Sequence, residues 1–279
     1  MKNTDTQPIL IPYDFTSVSD IAIEHAANLA KLAKKSLILL NILDDSTLKF
    51  LKSHDKMDQF LKTNLENLSN KVSKKYNVPT DFLIKKGNIL SITDMAKELS
   101  ISYMFIGIDQ PHTLASKIFK MIGNSPAPVY VVQGDIKWKS IKTIVFPVDS
   151  FEETRQKISC TIKVARINNS TVKLFSIFLR NKERQYYQDV RLKQIEKLLQ
   201  TNEIPYTSEY AKEDEEKFPD ELLKYAEENK SDLFILMKTP RLYFSNLFIN
   251  PVDKKILLNA MNIPSIYVNP KDIGIYGLS

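Results

Sequence analysis

Ile9-Leu-Ile-Pro-Tyr-Asp14 recurs 135 residues later as Ile144-Val-Phe-Pro-Val-Asp149. At the same offset Leu37-Ile-Leu-Leu-Asn-Ile42 meets Val172-Lys-Leu-Phe-Ser-Ile177. Ala96-Lys-Glu-Leu-Ser-Ile-Ser102 is answered by Ala226-Glu-Glu-Asn-Lys-Ser-Asp232, and Pro128-Val-Tyr-Val-Val132 by Pro264-Ser-Ile-Tyr-Val268. Matches in one order, with small drifts in spacing, indicate one unit duplicated with loop insertions and deletions. The join falls near Gly134–Lys139, which predicts a first domain over 1–137 and a second over 138–279.

Each copy reads as alternating strands and helices. Ile9–Pro12 is a short apolar run, as a buried strand requires. Ser17 followed three residues later by Asp20 has the form of a capping box opening a helix. Ala22, Ala26, Leu29 and Ala33 then repeat at helical spacing. Leu37–Leu43 is a second strand. The long helical pattern after it runs through Leu48, Leu51, Phe60, Leu61, Leu65, Leu68 and Val72. Asp81–Ile84, Tyr103–Ile106 and Val129–Val132 complete the strands, separated by helices over Ile89–Leu99 and Ser116–Ile122. In the second copy Ser150 and Glu153 cap the first helix, and Val190, Ile195, Leu198 and Leu199 mark the second. Strands joined through helices, without hairpin turns, imply right-handed parallel crossovers and an α/β doubly wound sheet. Ligands of such sheets bind beyond the carboxyl ends of the strands, where the strand order reverses. Asp14 and Asp149 follow the first strand of each copy and so fall at that mouth.

Composition excludes several functions. The 279 residues contain six glycines, with none between Gly134 and Gly274, where about 7% is usual. A loop that cradles phosphate with backbone N–H groups needs closely spaced glycines, and the second half has no place for one. Cys160 is the single cysteine, so no intramolecular disulfide forms. With three scattered histidines, it makes no thiolate zinc site. His25, His54 and His112 show no catalytic or ligand spacing and read as surface residues, Cys160 as a buried thiol, and Trp138 as a linker residue filling the seam between copies. Net charge is +6, and it divides evenly: residues 1–138 carry 17 lysines against 14 acids, and the first half has no arginine. Without a basic arm in either half, and without the bidentate guanidinium fork in the first, nucleic-acid binding is not expected. Met1 to Gln7 lacks the apolar core of a signal peptide, and the apolar runs are far shorter than the roughly 20 residues of a membrane span. The expectation is a cytoplasmic protein with no membrane partner.

Pro12-Tyr-Asp14 after strand one, Lys86-Gly-Asn88 before the third helix, Ala96-Lys-Glu-Leu and Phe-Ile-Gly107, and the closing Pro128-Val-Tyr-Val-Val132 together resemble the universal stress protein family. The resemblance extends once over each half. It implies two tandem domains, each a five-stranded parallel doubly wound sheet flanked by helices. It also implies association through the last strand, as an intramolecular pseudo-dimer of the two halves or as a homodimer.

Family members either bind ATP or a related adenine nucleotide or do not. The binding group carries G-x-x-G-x9-G-[S/T] after strand four. Here the first copy keeps Gly107, Gln110 replaces the second glycine, and Ala115-Ser116 fills the Gly-Ser position. Seven residues separate Gly107 from Ala115 where the motif has twelve. In the second copy Met237 replaces the first glycine and Asn250-Pro-Val252 the Gly-Ser pair, with Lys238 and Arg241 as loop cations. By resemblance, a nucleotide pocket of the first domain would use Pro12, Tyr13, Asp14, Ile42, Gly107 and Ser116. The residues alone also allow Asp14 and Ser116 to be helix caps and Tyr13 to cover the sheet end. The expectation is a non-catalytic stress-response binding or interaction module with an unidentified protein partner, no metal and degenerate ATP loops. The alternative is an AMP or ATP sensor using the first domain only.

Overall fold

The computed structural model describes residues 7–44, 57–108, 115–149, 154–237 and 255–269. The first half contributes β1 (Ile9–Pro12), α1 (Ser17–Ala33), β2 (Leu37–Leu43), α2 (Met57–Tyr76), β3 (Thr80–Lys86), α3 (Ile89–Glu98), β4 (Tyr103–Ile108), α4 (Ala115–Asn124) and β5 (Val129–Gln133). The second contributes β6 (Thr143–Val148), α5 (Thr154–Asn168), β7 (Thr171–Ser176), α6 (Lys182–Thr201), β8 (Tyr206–Tyr210), α7 (Phe218–Glu228), β9 (Leu233–Met237) and β10 (Ser265–Val268).

Among the described residues the strands form one sheet in the order β3-β2-β1-β4-β5-β10-β9-β6-β7-β8. Residues 143–268 thus repeat the strand order of residues 9–133. Neighbours within each half run parallel; the halves meet where β5 and β10 pair antiparallel, with Tyr130 opposite Ile266. Alternation along the strands divides the side chains between two layers. Ile9, Ile11, Phe105, Tyr130, Ile144 and Phe146 pack against α1, α2, α5 and α6. Leu10, Met104, Ile106, Val131, Phe234 and Tyr267 pack against α3, α4 and α7. Both layers run across the join, so the halves share continuous cores. No helix among the described residues is long and apolar enough to cross a membrane.

Glycine poverty leaves its mark at the helix ends. Helices commonly finish on a left-handed residue, usually glycine. Here that conformation falls to Lys34, Asn77, Ser100, Asn169, Glu203 and Lys230, with φ between 48° and 58°. A side chain in that region costs about 1–2 kcal/mol. Helix α1 shows the arrangement in full: Lys34 donates its backbone N–H to the Ala30 carbonyl. Its buried face is built from Ala22, Ala26, Ala27 and Ala30, and small residues let the helix axis lie close to the sheet.

One expectation needs correction. Helix α1 is capped by Thr16, whose hydroxyl accepts from the Ser19 N–H at 3.4 Å, and Ser17 is the first helical residue. The cap moves back because Asp14 folds the chain onto Thr16. Phe60, Val190 and Leu198 fall on the helical patterns read from the sequence, and they are 61%, 36% and 39% exposed. The buried positions of α6 are Gln188, Leu192, Ile195 and Leu199.

Candidate functional site

The mouth of the first half lies where β1 and β4 separate. Only Ile9–Tyr103 and Leu10–Met104 are in register before the strands diverge, and α1 starts in the gap. Tyr13 closes the end of β1. Its N–H donates to the Leu40 carbonyl at 2.9 Å, and its own carbonyl accepts from the buried Asn41 side-chain amide at 2.8 Å. The Tyr13 ring is buried, and its hydroxyl donates to Asp20 in the first turn of α1 at 2.8 Å. Burial, then the Asp20 hydrogen bond and the charges of Asp20 and Asp14, push the phenol well above its ordinary range. It is a neutral donor, fixed in that role.

Asp14 accepts from the Thr16 hydroxyl at 2.6 Å and from the Thr16 N–H at 3.2 Å. That turn holds Phe15 at φ 63°, an uncommon backbone conformation for an aromatic residue. The Phe15 ring meets Tyr13 edge to face at 4.9 Å. Gly107 approaches the same helix turn from β4. A Cβ built there would stand 2.0 Å from the Val18 carbonyl oxygen and 2.4 Å from its carbon. The glycine is therefore required by backbone packing between β4 and α1.

Tyr13, Asp14 and Gly107 thus all grip residues 16–20 of α1. Pro12 is the last residue of β1, in register with Leu40. Ile42 lies in the opposite layer, packed with the α3–α4 core. Ser116 stands in the first turn of α4, and its side chain lies outside the described residues. So do Leu48, Leu51, Gln110, His54, His112, Lys238, Arg241, the Asn250-Pro-Val252 stretch and the Ser150–Glu153 cap.

The second half solves the same local problem with different residues. Val148 occupies the place of Tyr13, and its carbonyl accepts from the Gln188 side-chain amide at 2.7 Å. Gln188 also donates to Ser176 at 3.0 Å, and Ser176 is the counterpart of Asn41. Arg191 donates to Gln188 Oε1 at 2.7 Å and to the Asp149 carbonyl at 3.1 Å. Strand register makes Met237 the counterpart of Gly107: Gly107 pairs with Val132 and Met237 with Val268. Beneath this network Lys157 is fully buried. Its ammonium donates to the Pro147 carbonyl and sits 4.2 Å from the centre of the Phe146 ring. Burial pushes its pKa down, partly offset by the Asp149 charge. Sequence reasoning did not single out Gln188, Arg191 or Lys157. The missing signal is three-dimensional: α6 supplies in the second half what a β2 residue supplies in the first.

His25 is buried, contrary to the surface reading. The connector after β5 returns over α1, a contact that no local spacing reveals. His25 Nε2 donates to the Ile136 carbonyl at 2.8 Å, Trp138 meets the ring edge to face at 5.4 Å, and Nδ1 has no partner. The Trp138 N–H donates to Glu24 at 3.1 Å. Burial holds the His25 pKa below the ordinary histidine value. Cys160 is buried against Tyr103 of the first half, and burial pushes its thiol up to about 12. Among the described residues no three His, Cys, Asp or Glu side chains gather to hold a metal ion.

Residues 6–133 match the sequence profile of the Universal stress protein family, and the first half of the chain is a universal stress protein domain. The whole fold is similar to solved structures. A universal stress protein from Archaeoglobus fulgidus superposes with a TM-score of 0.78 at 11% identity, covering 95% of this chain and 98% of that one. A functionally unknown protein from Pseudomonas aeruginosa gives 0.65 at 13% identity, covering 96% and 94%. The cytoplasmic domain of a prokaryotic cation chloride cotransporter gives 0.55 at 11% identity, covering 94% and 95%. At these identities the likeness is one of fold. No curated protein matches the chain by sequence. The family match covers residues 6–133, and over the rest of the chain the likeness to universal stress proteins is one of fold.

Proposed function

We propose that the chain is a pair of tandem universal stress protein domains, 1–137 and 138–279, acting in the cytoplasm as a non-catalytic interaction module with degenerate nucleotide loops. The observation that carries this reading is the engagement of Tyr13, Asp14 and Gly107 with the first turn of α1. The three residues of the expected nucleotide pocket nearest the strand ends already have partners within the fold. Asp14 and Asp20 also set two carboxylates at the start of α1, where the helix dipole would otherwise favour a phosphate. In the second half Met237 takes the place of the glycine, and Arg191 and Gln188 close over the end of β6.

Equilibrium dialysis with radiolabelled ATP and AMP, each with magnesium, tests the reading together with a phosphate-release assay. Neither nucleotide is retained at millimolar concentration, and no phosphate is released. Retention of AMP or ATP, lost in Asp14→Ala, would replace this reading with that of a nucleotide sensor in the first domain.

A further inference from the structure

Helices α5 and α6 do not close on each other along their length. Between them runs an open groove of about 1050 Å³. Its walls reach from Tyr187 on α6 to Asn202, the residue that caps it, about 22 Å at the helical rise of 1.5 Å per residue. Ile158 and Ile162 of α5 and Val190 and Leu198 of α6 make it apolar. Leu192, Ile195 and Leu199 of α6 pack into the core as Leu61, Leu65 and Leu68 of α2 do in the first half, and the groove lies outside them. In the second half Val190 and Leu198 stay exposed, as does Tyr187 at 59%.

The charge on the walls has one sign. Lys163, Arg166, Arg191 and Lys197 line the groove, and no carboxylate does among the described residues. Arg166 and Arg191 hold backbone and amide oxygens of Asn202, Asp149 and Gln188, while Lys163 and Lys197 form no ion pair among the described residues.

We infer that this groove docks an acidic amphipathic helix of a partner protein, about four turns long. An apolar stripe at i, i+3, i+4 and i+7 seats between α5 and α6, and flanking glutamates or aspartates meet the lysines on either wall. Two helices side by side offer the ridges and grooves that a third helix packs into. An acyl chain fits less well, because the groove opens to solvent along its length and such a chain would remain wet. The inference names the partner chemistry of the interaction module proposed above and rests on that reading.

The test is fluorescence anisotropy with the full chain and three labelled 16-residue peptides. One carries a leucine stripe flanked by glutamates, one the same composition with the stripe scrambled, and one lysines in place of the glutamates. The acidic striped peptide binds at least tenfold tighter than either control. Lys163→Glu with Lys197→Glu, and separately Leu198→Asp, each weaken it at least tenfold with the urea midpoint unchanged. Equal affinity for the three peptides, or binding indifferent to these substitutions, would overturn the inference. So would 11-(dansylamino)undecanoic acid binding at these residues while the peptide does not. Nucleotide retention by the first domain would refute the interaction-module reading without moving the peptide titration, so the two failures are distinguishable.

Discussion

Gly107→Ala changes one hydrogen to a methyl group at the point where β4 meets α1. Gly107 does not have the positive φ that Gly87 and Gly134 show, so alanine is compatible with its backbone and the effect is steric. The new carbon would lie 2.0 Å from the Val18 carbonyl oxygen, 2.4 Å from the carbonyl carbon and 3.1 Å from the Ser19 nitrogen, whereas ordinary contact begins at 3.4 Å. The obstacle is helix backbone, which no rotamer change can move. Relief requires α1 to shift away from the sheet, loosening the packing of Ala22 and Ala26 and straining the Tyr13–Asp20 bond. Overpacking of this kind costs about 1–3 kcal/mol or more, against a gain of about 0.4–1 kcal/mol from stiffening the unfolded chain. Urea denaturation reads the difference, with Trp138, the single tryptophan, as the fluorescent reporter. The midpoint falls while the slope stays that of the parent, and the melting temperature drops by several degrees. An alanine variant as stable as the parent would refute the packing argument. If it also lost a bound nucleotide, Gly107 would be a ligand contact after all.

Asn41→Ala removes the donor to the buried Tyr13 carbonyl, and Gln188→Ala removes the one to Val148. Each should cost about 1–3 kcal/mol in urea unfolding, and a neutral result at both sites would break the claimed equivalence of the two amides. Glu203→Gly and Lys230→Gly relieve left-handed residues at exposed helix ends. The αL penalty of about 1–2 kcal/mol outweighs glycine's entropic cost of about 0.5–1 kcal/mol, so each raises the urea midpoint, and a fall in both would contradict the account. His25 has its folded pKa lowered by burial, so below about 6.5, the unfolded value, the unfolded chain takes up a proton that the folded chain resists. Its contribution is present above that pH and is lost as pH falls toward the folded pKa. The decline in stability from pH 7 to 5 is therefore steeper in the parent than in His25→Leu, and equal slopes would refute it. Cys160 should resist a thiol reagent at pH 8 until the chain is unfolded, whereas rapid labelling of the native protein would place the thiol at the surface.

Where a feature depended on local pattern, the sequence displayed it. The apolar runs at Ile9–Pro12 and Leu37–Leu43 coincide with β1 and β2, and the repeat of strands and helices anticipated the mixed α/β architecture. Gly107 was legible only as a glycine of the resembled nucleotide motif, and its contact with the Val18 backbone of α1 was not, because it joins residues 89 positions apart. The burial of His25 was not legible, since it depends on residues 136–138 returning over α1. Nor was the exchange of Asn41 for Gln188, because the same carbonyl is satisfied from different elements in the two halves. Phe60 on α2 and Val190 and Leu198 on α6 have helical apolar periodicity and stay exposed. Periodicity reports which face of a helix is apolar, and the neighbouring elements decide whether that face is covered.

Native mass spectrometry of the full chain, before and after addition of AMP or ATP with magnesium, tests the central claim most directly. If the expected nucleotide contacts are committed to α1, the spectrum keeps the mass of the bare chain at millimolar nucleotide, and Asp14→Ala leaves it unchanged. An adduct of nucleotide mass that disappears in Asp14→Ala would contradict the claim and make the first domain a nucleotide-binding one.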